Sequence, residues 1–243
     1  MWMEANKLKQ FYSGRIGKIT QRIIEKKLQI LVPKTGNQRI LGLGYITPYT
    51  KTLFEATDRI LTVMPPHQDM LHLPEMGSSL GVYAHEYELP FSDLSIDTVI
   101  LIHALEWTNF VQPMLREVWR VLADSGKLVV VVPNRHGLWS QFEGTPFGQG
   151  RPYTRRQLFE VLQDNMFSPL KIKHALFVPP IDLRIITSAS HVLEAVGSRF
   201  FPSIGGIVIA DAVKKIYSAT PVLETATKRK YAAIVERKGT HTL

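Results

Sequence analysis

The chain opens on a helical period and then changes to short apolar runs. Between residues 4 and 31, Ile16, Ile19, Ile23 and Ile30 recur at helical spacing, with Arg15, Lys18, Arg22 and Lys26 as a basic stripe beside them. That pattern predicts one or two amphipathic helices. Pro33, Gly36 and Asn37 end it. Apolar strands then alternate with helical segments. The strands are expected at Arg39–Gly44, Arg59–Met64, near Gly81–Tyr83, Thr98–Ile102, Lys127–Val132, roughly Leu170–Phe177 and Gly206–Val213. Helices are expected from Thr47, as N-cap, to about Ala56, from Val111 to Leu122, and from a Thr154 cap to Asn165. The valine-rich run at 127–132 reads as a strand buried on both faces. The alternation predicts an α/β chain with a seven-stranded, mostly parallel sheet, flanking helices and an extra N-terminal helical segment. Its expected divisions are a helical segment at 1–36, one domain at 37–218, and a loose basic tail at 219–243.

Composition narrows the chemistry. The 243 residues are 45% hydrophobic and contain no cysteine, which removes disulfides, thiolate metal sites and cysteine nucleophiles. No H-E-x-x-H or Walker loop is present, so no metal site is expected. No apolar stretch is long enough to span a bilayer, and a soluble cytoplasmic protein is the expectation. The net charge of +8 is unevenly placed. Residues 1–39 carry +7 and residues 214–243 carry +5, so the body between them is at −4. A nucleic-acid footprint would therefore fall on the ends and not in the cleft, and the N-terminal stripe is a candidate for anionic lipid or RNA.

The run Leu89-Pro90-Phe91-Ser92-Asp93-Leu94-Ser95-Ile96-Asp97-Thr98-Val99, continuing through His103, Ala104, Leu105 and Glu106, carries a resemblance. So does Leu115-Arg116-Glu117-Val118-Trp119-Arg120-Val121-Leu122 with Ser125-Gly126-Lys127-Leu128. Together they resemble class I S-adenosylmethionine (SAM) methyltransferases of the small-molecule and lipid-quinone type. The resemblance implies a Rossmann-like fold, SAM as cofactor, and methyl transfer to a small-molecule or lipid-like acceptor. It identifies the fold better than the chemistry, and Glu117 and Arg120 read as structural.

The glycine loop departs from the pattern. The family's D-x-G-x-G-x-G falls on Gly42-Leu43-Gly44-Tyr45-Ile46-Thr47-Pro48, which keeps only Gly44 in register, with Gly42 where the acid belongs. Isoleucine disfavours a positive φ and proline fixes φ, so the loop must follow another path. No acid ends the second strand at Thr62-Val63-Met64-Pro65. Losing two hydrogen bonds of roughly 1.5–3 kcal/mol each weakens binding by about two to four powers of ten unless other contacts replace them.

Gly42, Gly44, Tyr45, Glu86 and His103 are the expected cofactor contacts. His103 is also the candidate base, because related enzymes place residues near the methyl group after strand four. Glu106 and Trp107 lie close by in sequence. Asn134, Arg135, His136 and Trp139 are candidates for an acceptor pocket, and Phe11 and Tyr12 for a lid or for core packing. The leading expectation is a methyltransferase acting by in-line displacement. The alternative is a non-catalytic protein of the same fold that binds a protein partner.

Overall fold

A computed structural model describes residues 3–32, 34, 36–55, 57–66, 80–182 and 189–216. The expected tail at 219–243 lies outside the described residues. In chain order the elements are α1 (Ala5–Ser13), α2 (Arg15–Leu31), β1 (Gly36–Gly44), a 3-10 turn (Thr47–Tyr49), α3 (Thr50–Phe54), β2 (Thr57–Met64), β3 (Leu80–Tyr83) and β4 (Ile96–Ile102). They continue with α4 (Val111–Val121), β5 (Leu122–Pro133), α5 (Arg155–Asp164), β6 (Phe167–Ala175), α6 (Ser190–Phe200) and β7 (Ile207–Lys214).

The seven strands form one sheet in the order β3-β2-β1-β4-β5-β7-β6. Only β7 runs antiparallel to its neighbours. The order reverses at β1, between β2 and β4, and such a switch point is where open α/β sheets bind ligands, beyond the carboxyl ends of their strands. Apolar side chains alternate between two cores. Leu41, Leu43, Val99, Leu101, Val130 and Leu128 pack against α4 and α5. Ile40, Ile100, Ile102, Val129 and Val131 pack against α1 and α2.

Two expectations about elements need correction. Thr47 does not cap a helix. It begins the 3-10 turn, its hydroxyl has no partner among the described residues, and the chain enters through Ile46 in helical conformation. The Asp124–Gly126 turn is absorbed into β5, which starts at Leu122 because that residue pairs with Ile96. Thr154 does cap α5, with its hydroxyl accepting from the Gln157 N–H and the Gln157 side chain answering.

The charged residues of the resemblance hold loops to the sheet. Arg120 donates to Glu117, to Asp93 at 2.7 Å, and to the carbonyls of Phe91 and Leu89. Glu117 also accepts the Leu89 N–H. One helical pair thus fastens the whole Leu89–Asp93 turn on the way into β4. At the start of β4, Asp97 accepts the backbone N–H and both guanidinium arms of Arg39 from β1.

That Arg39 guanidinium holds the Asp97 carboxyl below its usual value of 3.8. A carboxyl lowered in the folded state stabilises fully above its unfolded value, and the contribution is lost as pH falls through the lowered one. Asp97→Asn is expected to lower the melting temperature at pH 7 by roughly 2–4 °C, about 1 kcal/mol. It should also melt with a shallower decline between pH 5 and pH 3 than the parent. Parallel acid profiles in thermal melts would remove Asp97 from the account.

Candidate active site

Strand β1 carries Gly42 and Gly44 to the carboxyl edge, paired to β2 on one side and β4 on the other. Gly44 has φ +91°, and a Cβ there would lie 2.4 Å from the Ile102 carbonyl oxygen. No larger residue fits this turn. The Tyr45 N–H then donates to that same carbonyl, which draws the β1 turn against the end of β4.

The altered loop positions make a matched pair. A Cβ at Gly42 would sit 2.0 Å from Ile46 Cδ1, so the isoleucine side chain folds back over the glycine. Ile46 is fully buried there. The family pattern has an acid at the first position and a glycine at the third. Here the side chain is at the third and the glycine at the first. The place of the missing acid is filled by hydrocarbon.

Beyond this turn lies a buried chain of polar groups. His103, at the end of β4, has φ +52° and no solvent exposure. A non-glycine residue in this left-handed region is uncommon and clusters at functional sites. Its Nδ1 lies 3.2 Å from Glu106 Oε1, and its Nε2 lies 2.7 Å from the Tyr12 hydroxyl. The Tyr49 hydroxyl donates to the Tyr12 oxygen at 2.8 Å. One assignment gives every hydrogen bond of this chain a donor and an acceptor. Tyr49 donates to Tyr12, Tyr12 donates to Nε2, and the Nδ1 proton goes to Glu106.

Burial supports that assignment. It pushes the Tyr12 and Tyr49 phenols far up and the Tyr45 phenol up to about 12, so all three stay neutral. Aromatic rings enclose the histidine. Phe147 lies 4.9 Å from it between ring centroids, and Tyr12 packs on Tyr45 at 6.0 Å. Phe11 and Trp139 meet edge to face behind them.

The neighbouring loops divide into tied and untied groups. Glu86 is buried and accepts from the Thr108 hydroxyl. In contrast, Tyr83 Oη at the end of β3, and Glu106 Oε2 and Trp107 Nε1 after β4, are buried atoms with no partner among the described residues. The residues after β5 hold structure. Asn134 Nδ2 donates to the carbonyls of Ser203 and Gly205, Trp139 Nε1 to that of Val178, and Arg135 to that of Pro152.

Of the sequence-predicted site residues, Gly42, Gly44, Tyr45 and His103 come together around the β1 turn. Glu86 has one recorded side-chain partner, the Thr108 hydroxyl. Tyr12, read as a lid or a core residue, is the contact to His103 from 91 positions away. Sequence reasoning missed Tyr49 and Phe147. Neither sits in a recognisable motif, and only the folded chain brings Phe147 to the histidine and Tyr49 to its partner Tyr12.

Residues 42–130 match the family model described as a methyltransferase domain. Over 114 residues the chain is 29% identical to the uncharacterized protein YafS of Escherichia coli K12, covering 47% of this chain and 43% of that one. Over 141 residues it is 40% identical to an uncharacterized protein of Methanocaldococcus jannaschii, covering 55% and 61%. The matched region thus spans about half the length of these relatives. Among solved structures, it is similar to a SAM-dependent methyltransferase of Thermotoga maritima described as a possible histamine N-methyltransferase. The TM-score is 0.65 at 16% identity, covering 86% of this chain and 95% of that one.

Proposed function

We propose that this chain is a class I SAM-dependent methyltransferase that transfers a methyl group from SAM to a small or lipid-like acceptor beside His103; the methyltransferase-domain match over residues 42–130 and the fold support the reading. The observation that carries the reading is His103 itself. It is held in a left-handed conformation between Glu106 and Tyr12, at the sheet edge where this fold takes its ligands.

The residues present fit the nucleoside half of SAM. Tyr83 Oη, Trp107 Nε1 and Glu106 Oε2 are buried and unpartnered at the carboxyl ends of β3 and β4. A buried polar atom left unpaired costs about 1–3 kcal/mol. Ribose hydroxyls and an adenine amine are donors that Glu106 Oε2 and Tyr83 Oη can accept, and adenine and ribose offer acceptors for Trp107. Tyr12 stands between Tyr45 on the glycine turn and His103, where the amino-acid half would have to lie. Binding there requires the phenol to leave His103.

SAM supplies a methyl on a sulfonium, so the reaction is a displacement in which positioning supplies most of the acceleration. Once Tyr12 has moved, His103 Nε2 is free to take the acceptor's proton. Glu106 fixes the ring with its proton on Nδ1 and steadies the cation that forms. The rings of Phe11, Phe147 and Trp139 keep water from the histidine and favour an acceptor with an apolar body. No helix among the described residues is long and apolar enough to cross a membrane.

A second reading is favoured by the seal itself. With Ile46 in place of a glycine and Tyr12 buried against His103, the fold could serve as a non-catalytic module that binds a protein partner. Calorimetric titration with S-adenosylhomocysteine separates the two. The methyltransferase reading expects a dissociation constant in the micromolar range. Absence of binding up to millimolar ligand would retire it in favour of the module.

A further inference from the structure

We propose that the face formed by α2 and α6 docks on the surface of an anionic lipid bilayer. The proposal is independent of the methyl-transfer reading, because it uses none of the residues around His103.

Helix α6 has no buried residue. Its orientation is nevertheless fixed. The Glu194 carboxylate accepts the backbone N–H groups of Leu176 and Phe177, and Gly197 packs on the Phe177 side chain so closely that a Cβ would lie 2.4 Å from Phe177 Cβ. This pinned side turns Val192, Val196 and Phe200 outward, a stripe at four-residue spacing. Phe201 and Ile204 extend it beyond the helix. Their exposures run from 45% for Val196 to 65% for Phe200. Two adjacent phenylalanines more than half exposed on a helix that buries nothing are not explained by core packing.

The ground beside the stripe is cationic. An open groove between α2 and the start of α6 is lined by Arg15, Lys18, Arg22, Lys26 and Lys27. Lys26 reaches His191 of α6 at 3.1 Å, so the cations and the apolar helix share a border. Lys18, Arg22 and Lys27 form no ion pair with another described residue. A rigid basic helix beside an exposed apolar helix matches a surface that is anionic at its headgroups and apolar just beneath them. A nucleic acid would use the cations alone and leave the stripe in water, which is why the bilayer is the occupant proposed.

Flotation of the full chain with vesicles tests this, using phosphatidylcholine alone and phosphatidylcholine with three parts in ten phosphatidylglycerol. The chain is expected to float with the anionic vesicles about tenfold more than with the neutral ones, and less at 500 mM than at 50 mM salt. The paired substitutions Phe200→Ser with Phe201→Ser, and Lys18→Glu with Arg22→Glu, should each cut that binding about tenfold. All four positions lie outside the buried core, so melting temperatures should hold. If one pair fails to fold, the other pair and the lipid dependence still decide. No flotation with anionic vesicles, full retention by the phenylalanine pair, or tighter binding to a single-stranded RNA oligonucleotide would each overturn the proposal.

Discussion

His103→Ala is expected to lower kcat for methyl transfer by about 10²–10⁴-fold, the range typical of losing a positioned general base. Affinity for S-adenosylhomocysteine should not weaken and should rise by up to about tenfold, because the Tyr12–His103 hydrogen bond that binding has to break is already gone. Glu106→Gln is the informative companion. Its amide oxygen can still accept the Nδ1 proton, but it no longer opposes the positive charge that develops on the ring. A smaller loss, roughly tenfold, is expected. Steady-state kinetics and a binding titration on both variants check the pair. Unchanged kcat in His103→Ala would show that the acceptor gives up no proton to this residue. An alanine variant that lost cofactor binding instead would make His103 a binding group and leave the base unassigned.

Arg120→Ala is expected to cost about 3 kcal/mol of stability, because it leaves the Phe91 carbonyl unpaired and strips Glu117 and the Leu89 carbonyl of their guanidinium partner at once. For a chain of this size that is a fall of roughly 6–12 °C in melting temperature. The side chain is a third exposed, so water replaces some of what is lost, and this holds the figure below that of a fully buried pair. Arg120→Lys should recover only a minority of the loss. A lysine ammonium cannot reach two carbonyls and two carboxylates in the arrangement that a guanidinium fork spans. Thermal melts at neutral pH measure both. A loss under 1 kcal/mol in Arg120→Ala would mean that the turn holds without its clamp.

These two residues illustrate what was legible in the sequence. Arg120 and Glu117 are three apart on a helix, and their reading as a structural pair needed only that spacing. The strands were legible for the same reason. Val129–Val132 and Val99–Ile102 are local apolar runs, and the order of strands and helices follows from their alternation. The start of β5 was less so, since Ser125 and Gly126 look like a turn until Leu122 finds Ile96 across the sheet.

The candidate site was legible at one edge only. Gly44 stood out by its place in the motif, and the substitutions at 42 and 46 were visible as departures. That they compensate each other in space was not visible, because it depends on where the Ile46 side chain turns. The histidine's partners were harder still. Tyr12 reaches His103 from a separate helix, and Tyr49 reaches Tyr12 from the turn after β1, at separations that no periodicity encodes. A tyrosine on an amphipathic helix reads as core, and Tyr12 is buried as core. Only its hydroxyl sets it apart.

The central claim is that SAM occupies the carboxyl end of this sheet and that Tyr12 must leave His103 to admit it. Calorimetric titration of S-adenosylhomocysteine into the parent chain and Tyr12→Ala, side by side, tests it most directly. The account predicts that both bind and that Tyr12→Ala binds about tenfold more tightly, since the hydrogen bond to be broken, about 1–1.5 kcal/mol, is already gone. Equal or weaker binding by Tyr12→Ala, or no binding by either protein, would contradict it.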